Sequence, residues 1–128
     1  MSLLKGKVSF WTALGYKGGG PMWAWILHRI SGLSMIIFVA IHVYAGFTTQ
    51  QLTSGWGVWY NTLYENVWFQ LYIVFCVIFH AVNGLRIVIQ DTWPKLIPFE
   101  HEAIWLEWLV ILPVYGLTAF VMVQHALR

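Results

Sequence analysis

The chain is poor in charge. Only 9% of its 128 residues are Asp, Glu, Lys or Arg, against about a quarter in an ordinary soluble domain. It has one cysteine, Cys76, inside an apolar run. That excludes an intrachain disulfide, and neither a CxxC zinc pair nor a CxxCH haem-attachment motif is present. The GxGxxG, P-loop, GxSxG and HExxH signatures of soluble catalysts are all missing. The net charge of +2 is too small and too scattered to point to nucleic acid. Residues 1–17 lack the apolar core and cleavage pattern of a signal peptide. There is no internal repeat and no low-complexity tract, and the length suits one domain, 1–128.

What remains is strongly apolar: 59% hydrophobic residues with nine Trp and a mean hydropathy of +0.67. Tryptophan collects at membrane interfaces, where an amphipathic ring is partly wet. Three apolar runs, about 22–47, 67–90 and 103–127, are each long enough to cross ~30 Å of hydrocarbon at 1.5 Å per residue. The expected fold is therefore an all-α membrane protein of three transmembrane helices. Gly18, Gly19, Gly20 and Pro21 break the chain before the first run, and Pro94 and Pro98 break residues 91–102. Residues 48–66, with Gln50, Gln51, Gly55, Trp56 and Gly57, read as a loop. Pro113 in the third run is expected to kink it. Lys5, Lys7, Lys17 and Lys95 fall on one side of the membrane and only Arg128 on the other, which places the N-terminus in the cytoplasm.

Two histidines, His42 and His80, lie deep within the apolar runs, and His28 stands near the start of the first. On α-helical spacing His80, Gly84, Ile87 and Asp91 share one face. So do His28, Gly32, Met35, Val39, His42 and Gly46. A buried imidazole is costly without a partner. Iron is the strongest partner, histidine is a standard axial ligand, and glycine one turn away leaves room for a flat group. The glycines read equally well as close helix packing, and each histidine as a hydrogen-bonded packing residue. His42 lies fourteen residues beyond His28, roughly 21 Å along a helix axis. His42 and His80 then sit at different levels, each ligating its own haem with a second ligand from another chain.

His28, Arg29 and Arg86 lie toward the cytoplasmic end. Cations there suit haem propionates and quinone oxygens, or simply snorkel to lipid phosphates. Asp91 is expected to cap a helix or pair with Arg29 or Lys95. Asn83 is read as a hydrogen bond to a neighbouring helix. Glu107 is expected to reach the interface. No carboxylate is expected deep in a span, which argues against a transporter or channel. Met35 and Met122 read as packing residues.

Two motifs together carry a family resemblance: Leu27-His28-Arg29-Ile30-Ser31-Gly32 in the first run, and His80-Ala81-Val82-Asn83-Gly84-Leu85-Arg86 with Asp91 in the second. They resemble the cytochrome b subunit of succinate dehydrogenase and fumarate reductase, the larger of two membrane anchors, over nearly the whole chain. The resemblance implies a bacterial inner-membrane protein paired with a second three-helix anchor, the two docking an iron–sulfur subunit and a flavoprotein subunit on the cytoplasmic face. It implies electron passage between succinate and a membrane quinone, menaquinone or ubiquinone, with this chain a non-catalytic subunit. It implies haem b on His80, with His28 and Arg29 near the propionates and quinone. Ile87 stands where many relatives carry a second histidine, and Trp25 where some carry a quinone-binding serine. Ser31 and Trp25 are the quinone contacts the chain offers instead. His42, within Ile41-His42-Val43, resembles the outer haem ligand of two-haem members, with His80 holding the haem nearer the iron–sulfur subunit. A haem-free structural anchor and a b-type cytochrome of another respiratory enzyme are the rival readings.

Overall fold

A computed structural model describes residues 18–51 and 55–128, and their side chains except those of 48–51, 56, 57 and 60. The lysines of the N-terminal arm, and the side chains of Gln50, Gln51 and Trp56, lie outside the described residues.

The described chain is all helix and turn. Helix α1 is Gly19–Gln51, α2 is Gly55–Glu65, α3 is Val67–Thr92, and a 3-10 segment, Pro94–Phe99, leads into α4, Glu100–Ala126. Among the described residues three stretches are long and apolar enough to cross a membrane: Gly19–Phe47, Val67–Thr92 and Pro94–Ala126.

Local chemistry explains the boundaries. Gly19 has φ of 67°, a left-handed conformation that suits glycine, and α1 starts there. The Asn66 side chain caps α3 by accepting from the Trp68 and Phe69 amides at 2.9 and 3.3 Å, a contact worth about 1 kcal/mol. Helix α3 stops at Thr92 because Pro94 disfavours helical backbone at Trp93. Glu100 and Glu102 occupy the first turn of α4, where negative charge complements the helix dipole.

Two connections differ from the sequence expectation. Most of 48–66 is helical, since α1 runs on to Gln51 and α2 fills Gly55–Glu65. Gly55 and Gly57 look like breakers, but Val58, Trp59, Leu63 and Tyr64 are spaced for a helix, and α2 packs on both α1 and α3. The connection after α3 is likewise ordered, with Pro94 at the start of the 3-10 segment and Pro98 inside it. Helix α4 continues through Pro113 to Ala126.

Helix α3 is the centre of the molecule, packed on α1 along one side and α4 along the other. Phe79 and Ile111 are fully buried, with Leu71, Ile73, Cys76 and Ile104 nearby in the core. The outer faces carry Trp68, Trp105, Leu109, Leu117 and many other large apolar side chains. That is the pattern of a protein whose solvent is hydrocarbon. Among the described residues three polar side chains are buried: Ser31, Asn83 and Glu107. They mark where the fold departs from simple apolar packing.

Candidate functional site

The two histidine motifs meet across the α1–α3 contact. Each helix presents one imidazole and, one turn away, one glycine. The His80 ring lies over Gly32, so closely that a Cβ there would stand 2.9 Å from His80 Cε1. The His28 ring lies over Gly84, at 3.5 Å from an added Cβ. The two rings stack, with centroids 4.0 Å apart and planes 10° apart. The room that glycine was expected to leave for a flat ligand is thus taken, at both positions, by the imidazole of the opposite helix.

Hydrogen bonds then fix the His80 ring. Ser31 Oγ donates to the backbone carbonyl of His28 at 2.9 Å. His80 Nδ1 lies 3.2 Å from Ser31 Oγ and 3.2 Å from the same carbonyl oxygen. A carbonyl only accepts, and the serine proton is already committed to it, so Nδ1 of His80 must be the donor to both. The lone pair of the neutral ring is therefore on Nε2, the atom left for a ligand. Ser31 is only 3% exposed and faces His80 rather than an open surface. Nδ1 of His28 is buried with no hydrogen-bond partner.

Arg29 and Trp25 lie one turn apart on α1. The Arg29 guanidinium carbon sits 3.9 Å from the centre of the Trp25 ring, a cation–π contact. Trp25 borders a cavity of about 340 Å³, shared with Arg86, Gln90, Asp91, Ile97 and Glu100. This cavity gathers the start of α1, the end of α3 and the start of α4. Asp91 faces it, and the ion pair expected between Asp91 and Arg29 or Lys95 does not form: among the described residues the ion pair is elsewhere, between Arg86 and Glu107.

Arg86 has partners within the chain. Its Nε donates to Glu107 Oε2 at 2.8 Å, its Nη2 to Asn83 Oδ1 at 2.8 Å and its Nη1 to Gln90 Oε1 at 2.9 Å. Glu107, expected at the interface, is 4% exposed. It is a buried carboxylate inside a span, which the sequence reading did not anticipate. Ile104, Glu107 and Ile111 share the buried face of α4, but the helix is apolar on nearly every face, so spacing alone does not mark that side as inward. A charge on that face requires a partner on the helix opposite, and Arg86 supplies it. Glu107 Oε1, Asn83 Nδ2 and Gln90 Nε2 remain without partners.

His42 stands apart from this cluster. Its ring stacks near Phe38 at 5.7 Å and meets Tyr64 of α2 edge-on at 5.3 Å. Among the described residues nothing lies within 4 Å of where a Gly46 Cβ would be. His42 is ten residues beyond Gly32, the residue beneath the His80 ring, so roughly 15 Å further along α1. No cluster of three or more His, Cys, Asp or Glu side chains suited to a metal ion occurs among the described residues. An axial haem ligand needs only one imidazole from the chain.

Residues 13–123 match the family described as succinate dehydrogenase/fumarate reductase transmembrane subunit. The succinate dehydrogenase 2 membrane subunit SdhC of Mycobacterium tuberculosis is 29% identical over 94 residues, covering 71% of this chain and 68% of that relative.

Proposed function

The chain belongs to the succinate dehydrogenase/fumarate reductase transmembrane subunit family, and from that premise we propose that it is the haem b-binding anchor through which electrons pass between an iron–sulfur subunit and membrane quinone. The observation that carries this reading is the state of His80. Its Nδ1 is a donor held by Ser31 Oγ and the His28 carbonyl, which leaves Nε2 unprotonated. Metal-bound histidines in general are oriented by such an outer hydrogen bond. A haem held there supplies a one-electron carrier of tunable potential.

The remaining residues have roles that follow from their placement. His28 and the exposed Arg29, adjacent on α1, would stand near the propionates, with Arg29 supplying a positive charge. Arg86 is spent on Glu107, Asn83 and Gln90; it contributes positive potential behind the site rather than a free guanidinium. The cavity bordered by Trp25 has the size and mixed polarity for a quinone head group, with Arg29 packed on the indole. His42, one level further out, serves as ligand to a second haem. At the inner level the His28 ring is stacked on His80 and does not face it across a gap, and His42 is alone at the outer level, so the opposite ligands would come from a second anchor subunit. The iron–sulfur and flavoprotein subunits dock at the end where α1 starts, on the cytoplasmic side of a bacterial inner membrane.

A haem-free anchor is the second reading. The stacked His28 and His80 rings, each seated on a glycine, favour it, because such a pair also locks two helices together. The pyridine haemochrome content of the purified complex, normalised to flavin, separates the readings. Two haems per flavin are expected. One haem returns His42 to packing, and none leaves a structural anchor.

A further inference from the structure

Ser31 is the residue whose environment fits neither the quinone contact expected from the sequence nor ordinary packing. A buried serine in a membrane helix needs only its own i−3 or i−4 carbonyl to be satisfied. Ser31 has that partner, the His28 carbonyl at 2.9 Å, and a second one across the helix interface, His80 Nδ1 at 3.2 Å. The three atoms close a triangle, since the His28 carbonyl is also 3.2 Å from His80 Nδ1. One N–H is therefore shared between two acceptors, and the serine proton points away from the imidazole.

From this geometry we infer that Ser31 is a positioning and tuning residue for His80, setting the potential of iron bound at Nε2. The inference rests on the haem reading proposed above. An acceptor on Nδ1–H draws the proton outward and enriches the electron density on Nε2. A more basic axial nitrogen favours ferric over ferrous iron and lowers the midpoint potential. The ring's position does not depend on Ser31 alone, because Gly32 admits its Cε1 edge close to α1 and His28 stacks on its face. Removing the hydroxyl should therefore change the iron's potential more than its occupancy.

The test is a redox titration of the haem absorbance in the purified four-subunit complex, with haem per flavin measured in parallel. Ser31→Ala is expected to keep the haem and move its midpoint to a more positive value. The underlying change in the ferric-to-ferrous binding ratio should be roughly fivefold, the weight of one neutral hydrogen bond. Ser31→Thr is expected to restore the original midpoint, since a threonine hydroxyl reaches the same carbonyl in a helix. Loss of haem from Ser31→Ala that Ser31→Thr recovers makes Ser31 a residue that seats the haem without tuning it, and overturns the inference. An unchanged midpoint in Ser31→Ala overturns it, as does a Ser31→Thr complex that behaves like Ser31→Ala. An unsubstituted complex that contains no haem overturns both this inference and the function it rests on.

Discussion

A single hydrogen atom at Gly32 decides where His80 can sit. With an added Cβ only 2.9 Å from the ring, Gly32→Ala forces the imidazole outward, and the stacked His28 ring limits where it can go. Overpacking of this kind costs about 1–3 kcal/mol. We expect Gly32→Ala to lower both the thermal midpoint of the detergent-solubilised complex and its haem content. Gly46, on the same sequence stripe, has open space around it, so Gly46→Ala should leave both unchanged. The contrast is checked by measuring the two variants side by side. At this scale the motif residues were legible in the sequence and their partners were not. The spacing of His28 and Gly32, or of His80 and Gly84, shows that ring and glycine share a face of one helix. It does not show that each glycine serves the other helix's ring, because that depends on the register between α1 and α3.

Among the helices, the α3–α4 contact carries the largest electrostatic commitment. Arg86 and Glu107 have side chains 11% and 1% exposed, so removing one strands the other in hydrocarbon. Glu107→Leu is expected to destabilise the anchor by about 3–5 kcal/mol. The double variant Arg86→Met with Glu107→Leu should recover much of that loss, because a matched apolar pair of similar volume replaces a buried ion pair at little cost. Thermal unfolding of the three forms in one detergent checks this. If the double variant is no better than Glu107→Leu, the ion pair is not the reason the carboxylate is buried. The three spans themselves were plain from composition, since a bilayer crossing requires a long apolar run. Helix α2 was not, because glycine at 55 and 57 and the glutamines before them suggest a loop. Its Tyr64, packed on Phe38 and His42 of α1 and Phe69 of α3, outweighs that local preference. Glu107 was missed for a related reason: α4 is apolar on nearly every face, so the sequence gives little sign of which side is inward.

In the whole complex, Trp25 and Arg29 border the end of the bundle where quinone reduction is proposed. Arg29 is exposed, and an exposed cation–π pair is worth only about 0.5–1 kcal/mol, so Arg29→Ala should assemble normally. We expect it to raise KM for quinone while leaving succinate-driven reduction of a soluble dye unchanged. Equal loss of both activities would mean that Arg29 acts on assembly instead. His42 belongs to this scale too, since a second haem one level further out would let electrons travel between the two membrane faces in short steps. His42→Ala should halve the haem content, and an unchanged content would remove the second haem from the account.

The central claim, that His80 Nε2 is an axial ligand, is tested most directly by chemical rescue. His80→Gly removes the ring and leaves a space of its own size between Gly32 and His28. The haem content of the purified His80→Gly complex should fall by one per flavin and return when imidazole is supplied during assembly, with no such return on adding a non-coordinating ring of similar shape. Haem content that is unaffected by the substitution would contradict the claim.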